Sequence, residues 1–187
     1  MTTLFAESHQ KESASVILYD DNTVVSVRQI KLGVSAQNGP EDTPDLVFDP
    51  ENINWNVFGQ RVCIGGDVNG DGFSDLLIGA WRWQNTCGRA YLYFGGPHMD
   101  PVADVVFTGM KEGDGFANQS GVFGDVNNDG YDDVIIGAMG NTMTMGAIQD
   151  GYVHVYLGGP HMDNVPDILL SPVEAGRRGG FGWQASG

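Results

Sequence analysis

The chain has 187 residues, a formal net charge of −15 and only nine lysines and arginines. This scarcity of basic residues argues against nucleic acid as a partner, because phosphate binding needs clustered positive charge. No apolar run reaches the roughly 18 residues that a transmembrane helix needs. The N-terminal segment MTTLFAESHQK is too polar for a signal peptide, so we expect any export signal to lie outside this chain.

Residues 1–44 predict short strands that match the rest of the chain poorly. The runs 15–20 and 22–29 flank Asp20-Asp21-Asn22, and this arrangement predicts a β-hairpin. We interpret the region as a degenerate copy of the repeat that follows, with its third strand at about 30–36. Residues 45–57 then supply the last strand of a preceding unit and a connection.

Two nine-residue segments share one pattern of oxygen-bearing side chains: DVNGDGFSD at 67–75 and DVNNDGYDD at 125–133. Each has a carboxylate or amide at positions 1, 3, 5 and 9, and glycine at position 6, where a tight turn needs it. Calcium takes about six to eight oxygens, and alternate side chains of such a loop can reach one centre. We therefore predict two Ca²⁺ sites, with the position-7 carbonyl as a further ligand. The ligand residues are Asp67, Asn69, Asp71, Phe73 and Asp75 in the first loop, and Asp125, Asn127, Asp129, Tyr131 and Asp133 in the second.

Two other interpretations of these loops compete with this one. An EF-hand needs glutamate at position 12 and a helix on each side. Here Ile78 and Ile136 occupy that position, within short apolar runs that predict buried strands. A polar Asp/Asn/Gly turn without metal is the second alternative, and the repetition of the pattern disfavours it.

The repetition extends over whole units, because 58–80 aligns with 116–138 and 89–100 aligns with 152–163. Four short strands in about 60 residues are typical of a β-propeller blade. We therefore predict an all-β fold of four-stranded antiparallel blades, a partial propeller. The predicted strands of the first unit are about 59–66, 76–81, 89–95 and 104–109. The two complete blades are 58–115 and 116–180, with partial blades at each end, the last beginning at 181–187.

These units resemble the FG-GAP repeats of the integrin α-subunit N-terminal propeller and its bacterial relatives. Phe58-Gly59 matches the FG element, and Gly79-Ala80 and Gly137-Ala138 match the GA element after the Asp-rich loop. Phe116-Ala117 in place of the second FG is a mild departure, as is the lack of proline after either GA. A closed propeller of this type needs about seven blades, so we expect a fragment whose parent protein supplies the remaining blades.

The resemblance, which covers residues 45–187, implies calcium loops on the lower face and ligand binding on the upper face. The candidate ligand-binding residues there are Trp55, Trp81, Arg82 and Trp83. Trp and Arg are favoured at binding hot spots, and flat aromatic rings also suit sugars. We expect a protein or glycan ligand on this face, opposite the calcium loops. The alternative is that Trp81 and Trp83 pack between blades.

The remaining reactive residues form no recognisable catalytic set. His98 and His161 lie in the repeated turn GGPHMD, where we expect them to be solvated. His154 alternates with valines along a predicted strand and faces either solvent or a neighbouring blade. Cys63 and Cys87 could pair in a secreted protein, although free thiols are the more ordinary state.

The sequence favours a non-enzymatic, calcium-binding module for extracellular adhesion or recognition, at the cell surface or secreted, including the periplasm. Such extracellular calcium modules bind at about 10⁻⁴–10⁻³ M, which suits calcium levels outside the cell. The alternative is an accessory or substrate-binding propeller of a secreted hydrolase, of a phospholipase D-like or polysaccharide-degrading kind.

Overall fold

The computed structural model describes residues 3–10, 13–20, 23–30, 46–48, 57–118, 121–140 and 151–172, the first three ranges as backbone only. These residues form three antiparallel four-stranded sheets and one short helical turn, Trp83–Thr86. The predicted all-β fold of four-stranded blades is therefore confirmed.

The first sheet contains the predicted hairpin and one unexpected pairing. Its strands are β1 (Thr3–Gln10), β2 (Ser13–Asp20), β3 (Thr23–Ile30) and β4 (Leu46–Phe48), in the order β3-β2-β1-β4. The hairpin is confirmed because β2 pairs with β3, with Asp20 opposite Thr23.

The described strand that pairs with β4 is β1, an arrangement that the sequence did not predict. Leu46 of β4 lies opposite Ala6, and Phe48 lies opposite Leu4. The short connection between β1 and β2 pairs these two strands locally, and the other edge of β1 stays open for β4. Residues 31–36 themselves lie outside the described residues.

The second and third sheets are simple meanders in which each strand pairs with its neighbour in sequence. Their pairing confirms that the strands predicted from the apolar runs exist and follow one another as in a blade. The second sheet contains β5 (Arg61–Ile64), β6 (Leu76–Ala80), β7 (Arg89–Tyr93) and β8 (Val105–Thr108); the third contains β9 (Val122–Gly124), β10 (Asp133–Ala138), β11 (Tyr152–Tyr156) and β12 (Ile168–Leu170).

Alternate residues of β6 belong to two different cores. Leu77 joins a cluster shared with the third sheet, whereas Leu76 and Ile78 join a cluster on the opposite face. On that face Phe48 packs edge-on against Tyr93, with 4.7 Å between the ring centroids. Burial on both faces explains why β6 is an unbroken apolar run instead of an alternating one.

A buried polar chain fastens the connection between the second and third sheets to β11. The Tyr152 hydroxyl accepts a hydrogen bond from the Met110 N–H at 2.8 Å and donates one to Asp114 Oδ2 at 2.9 Å. Asp114 is only 1% exposed, and its Oδ2 also accepts the N–H of Lys111. A buried hydroxyl that bonds on both sides fixes the path of the chain between blades.

His154 extends this buried chain along β11. The side chain is 4% exposed, and its Nδ1 lies 3.0 Å from the Tyr156 hydroxyl. Its ring contacts those of Phe116 and Tyr152. His154 lies on the same face of β11 as Tyr156, whose ring packs against Phe107 of the second sheet, so it faces the neighbouring blade, as one of the two predicted orientations has it. Burial lowers the pKa of His154, and the charge of Asp114 partly opposes this change.

We predict that the folded state loses stability on acidification through His154. The unfolded chain takes up this proton at its ordinary pKa near 6.5, whereas the folded chain resists it until a lower pH. Proton uptake by His154 should therefore lower the free energy of unfolding, measured with urea from pH 7.5 to 5, below about pH 6.5. Asp75, whose pKa is raised to about 7, contributes in the opposite direction in every variant, so the His154 contribution is measured as the stability of the parent chain relative to His154→Gln, which should decrease as the pH falls. His98→Gln, which changes an exposed histidine, serves as the matched control. Identical pH slopes in all three proteins would contradict the prediction.

Candidate functional site

The first Asp-rich loop is organised by its own carboxylates. Asp67 accepts the N–H groups of Asp71 at 2.9 Å and of Gly72 at 2.8 Å. Asn69 Oδ1 accepts the same Asp71 N–H at 3.1 Å, and Asp71 Oδ1 accepts that of Phe73 at 2.9 Å. Gly72 has φ +87° with open space around it, so the turn requires its backbone conformation, not its small size.

The second loop repeats these hydrogen bonds at the equivalent positions. Asp125 accepts the N–H groups of Asp129 at 3.0 Å and Gly130 at 2.9 Å. Asn127 Oδ1 also accepts from Asp129, and Asp129 Oδ1 accepts from Tyr131. Side chains at positions 1, 3 and 5 therefore point into the turn in both loops, as the alternating pattern predicts.

The position-9 aspartates lie beneath the loops and are fully buried. Asp75 Oδ2 accepts the N–H of Val68, and its Oδ1 accepts that of Gly95. Asp133 makes the same two bonds, to Val126 and Gly158, each at 2.8 Å. Each carboxylate thus ties the start of its loop to the GGPHMD turn of the same blade. The sequence analysis missed Gly95 and Gly158, although the repeated GG pair was the available signal.

Burial makes the first of these carboxylates unusually hard to ionise. Desolvation raises the pKa of Asp75 to about 7, while its bonds from Gly95 and Val68 work in the opposite direction. The negative charges of Asp71 and Asp67 are smaller contributions to the same increase. Three carboxylates this close repel one another, and a cation bound among them would relieve that repulsion.

The oxygen atoms of the two Asp-rich loops are of the kinds that bind a hard cation. Among the described residues, no three histidine, cysteine, aspartate or glutamate side chains already converge as a metal-binding group. The inward-pointing oxygens instead accept backbone N–H groups, and a carboxylate oxygen that does so retains capacity to accept further. Carboxylate, amide and carbonyl oxygens are the ligand types that calcium takes. Ile78 and Ile136 lie in β6 and β10, fully buried, which leaves no position-12 ligand of the EF-hand kind.

The loop 81–88 lies at the opposite end of the second sheet from the Asp-rich loop, because successive connections of a meander alternate ends. It contacts the inter-blade connection there, since Asn85 O accepts the N–H of Gly113 and Asn85 Nδ2 donates to Glu112. Trp81 donates its indole N–H to Gln60. The exposed Arg82 guanidinium lies 4.7 Å from the centroid of the Trp81 ring.

Trp83 is buried at this end of the sheet, which disfavours the ligand-binding role predicted for it. Its side chain is 7% exposed, and the guanidinium of Arg89 lies 3.4 Å from its ring centroid. A stacked cation covers the ring. Arg89 belongs to β7, so this contact lies within the blade, whereas the alternative interpretation places the packing between blades. Trp55 lies outside the described residues.

The same loop contains a strained backbone that the sequence analysis did not foresee. Gln84, Asn85 and Thr86 have φ values of 40°, 53° and 64°. Left-handed backbone in three consecutive non-glycine residues is costly and persists only where surrounding contacts hold it. The Asn85 bonds to the inter-blade connection supply part of that support.

The cysteines and turn histidines take the expected ordinary roles. No disulfide joins Cys63 and Cys87, and Cys87 Sγ lies 3.2 Å from the Gly109 carbonyl oxygen. Burial raises the pKa of Cys87, so this thiol is less reactive than an exposed one. His98 and His161 are exposed. Within the described ranges, the structure has no helix long and apolar enough to cross a membrane.

The repeated meander with an Asp-rich loop between its first two strands defines a repeat protein built from β-propeller blades. A family model described as the FG-GAP repeat matches residues 58–86 and 117–156. The chain is thus an FG-GAP repeat protein that resembles the integrin α subunits.

Comparison with curated proteins gives the same relationship. The chain is 34% identical over 113 residues to integrin alpha-5 of Xenopus laevis, covering 56% of this chain and 10% of that protein. It is 32% identical over 138 residues to integrin alpha-IIb of Homo sapiens, covering 67% and 13%. It is 30% identical over 143 residues to integrin alpha-8 of Mus musculus, covering 71% and 13%. The chain therefore spans little more than a tenth of the length of these relatives.

Proposed function

We propose that this chain is a calcium-binding FG-GAP propeller module that serves adhesion or recognition outside the cell, without catalysis. The observation that carries the calcium proposal is the duplicated hydrogen-bond network of the two loops, in which equivalent carboxylates point into equivalent turns. The same carboxylates also accept backbone N–H groups, but their mutual repulsion destabilises the loop, and a bound cation would relieve it.

The residues that would hold calcium are the ten ligands predicted from the sequence. Calcium would supply positive charge that neutralises the loop carboxylates and would rigidify each loop. In the first loop, Asp67, Asp71 and Asp75 bring three formal negative charges to one turn. At a calcium concentration ten times the dissociation constant, each site would stabilise the fold by roughly 1.4 kcal/mol.

The extracellular setting and the adhesive role are supported by the similarity to integrin α subunits. Calcium modules of about 10⁻⁴–10⁻³ M affinity are filled outside cells and mostly empty in cytosol. We assign the contact with a protein ligand to the end of the sheet that carries Trp81 and Arg82. An exposed guanidinium stacked on an indole offers both apolar area and charge, which suits a hot spot. A glycan is the alternative ligand at the same pair.

Removal of a central loop carboxylate tests calcium binding. We expect calorimetric titration of the chain with CaCl₂ to give two sites, and Asp71→Ala or Asp129→Ala to leave one. The double variant should bind none, because position 5 contributes to both the ligand set and the turn. Asp100→Ala, an exposed turn carboxylate at the same end of the sheet, is the matched control and should leave both sites intact. Unchanged binding in the double variant would reject these loops as the sites.

The ligand-binding end of the sheet is tested by cell attachment. Wells coated with the chain should retain cells in millimolar calcium, and Trp81→Ala combined with Arg82→Ala should reduce the retained number several-fold because the stacked pair is lost. His98→Ala changes an exposed residue of the GGPHMD turn and should attach cells like the parent chain. Equal attachment by all three proteins would show that the Trp81–Arg82 pair is not the contact.

A further inference from the structure

The two Asp-rich loops are joined to each other through Asp132. Its Oδ2 accepts the N–H of Asp67 at 2.8 Å, and its own N–H donates to the Asp67 carbonyl oxygen at 3.2 Å. Both backbone groups of the position-1 residue in the first loop are therefore held by one residue of the second loop. Asp132 stands at position 8, which was not among the predicted calcium ligands.

A second connection runs through the GGPHMD turn of the third sheet. Asp133 Oδ1 accepts the N–H of Gly158 at 2.8 Å, and the next residue, Gly159, donates to the Val68 carbonyl oxygen at 2.7 Å. Asp133, at position 9 of the second loop, thus fixes the GGPHMD turn of the third sheet. That turn also bonds to Val68, at position 2 of the first loop. The second loop supports the first at both Asp67 and Val68.

The loops are also packed against each other. An added Cβ on Gly70 would lie 2.4 Å from Cε1 of Tyr131, so the ring of the position-7 residue lies directly against the first loop. This approach leaves no room for any other residue at position 70 unless the ring moves. The contact with Tyr131 therefore adds to the hydrogen bonds that Asp132 and Gly159 make with the first loop.

The two loops differ at the coupling position. Position 8 of the first loop is Ser74, whereas Asp132 supplies a carboxylate in the second. The Asp132 carboxylate is thus an addition to the shared pattern, and the bond it makes reaches outside its own blade. The calcium ligand pattern alone does not require an acid there.

We propose that Asp132 couples the two calcium sites, so that filling the second loop prepares the first. Asp132 lies between two predicted ligands, Tyr131 and Asp133, and a cation that orders those residues also fixes the groups that bond to Asp67. A loop that is already ordered loses less conformational entropy when it binds, which produces positive cooperativity. Linkage requires the same effect in the reverse direction. This inference rests on the proposed calcium binding.

The test measures the affinity of the first loop with the second loop intact or disabled, by calorimetric titration of the full chain with CaCl₂. Asp129→Ala disables the second site and should weaken binding at the first by about fivefold or more. With Asp132→Ala, the effect of Asp129→Ala on the first site should fall to the part carried by the Gly159–Val68 bond and the Tyr131 contact, clearly below the effect in the parent chain. An undiminished effect would overturn the role of Asp132. Ser74→Ala, at the matching position of the first loop, should preserve the coupling.

Asp132→Asn separates the hydrogen bond from the charge. Its amide oxygen can accept the Asp67 N–H, so coupling should survive in this variant if the bond transmits it. Loss of coupling in Asp132→Asn as complete as in Asp132→Ala would overturn the hydrogen-bond mechanism in favour of a field effect. This conservative change also serves if the alanine variant does not fold, as judged by circular dichroism.

Failure of the inference is distinguishable from failure of the proposed function. If the chain binds two calcium ions but disabling one site does not change the affinity of the other, the coupling is overturned and calcium binding stands. A parent chain that binds no calcium in the same titration would overturn both. Coupling that is weakened in Asp132→Ala and kept in Asp132→Asn and Ser74→Ala would support the inference as proposed.

Discussion

Each complete blade depends on one buried aspartate that joins its Asp-rich loop to its later turn. Asp75 and Asp133 use both carboxylate oxygens for this purpose, and each lies fully out of solvent. Because a buried carboxylate left without partners is very costly, the loop must close onto it and the GGPHMD turn must approach it. The loop conformation, the turn position and the ends of the first three strands in each blade follow from this single constraint.

The hydrophobic core lies between blades, so no blade is complete by itself. Leu77 and Phe107 of the second sheet pack against the third sheet, as part of one shared cluster. Ile168 and Leu170 occupy the positions in β12 that Val105 and Phe107 occupy in β8, yet they are 42% and 47% exposed. Stability in such a repeat comes from each blade together with its interfaces to the next. The same interface brings Asp132 within hydrogen-bond distance of Asp67, so the packing of the two blades also positions the two Asp-rich loops.

The local features of this fold could be predicted from the sequence, because local patterns determine them. Short apolar runs and glycine-rich turns predicted the strands, and the spacing of Asp67, Asn69 and Asp71 predicted inward-pointing side chains. The partner of β4 could not be predicted, since the pairing of Leu46 with Ala6 joins residues 40 positions apart that share no local signal. The burial of Trp83 could not be predicted either, since the sequence does not show that the Arg89 guanidinium covers its ring.

The most direct test of the account is thermal unfolding of the chain in EGTA and then in millimolar CaCl₂, with MgCl₂ as the control. Mg²⁺ demands a stricter octahedral geometry and gives up its water reluctantly, so a loop of this kind should discriminate against it. The account predicts a rise in the unfolding midpoint with calcium and little or none with magnesium, as expected when a ligand binds only the folded state. An unchanged midpoint in saturating calcium would contradict it, because carboxylates that gain nothing from a cation are not the calcium sites of these blades.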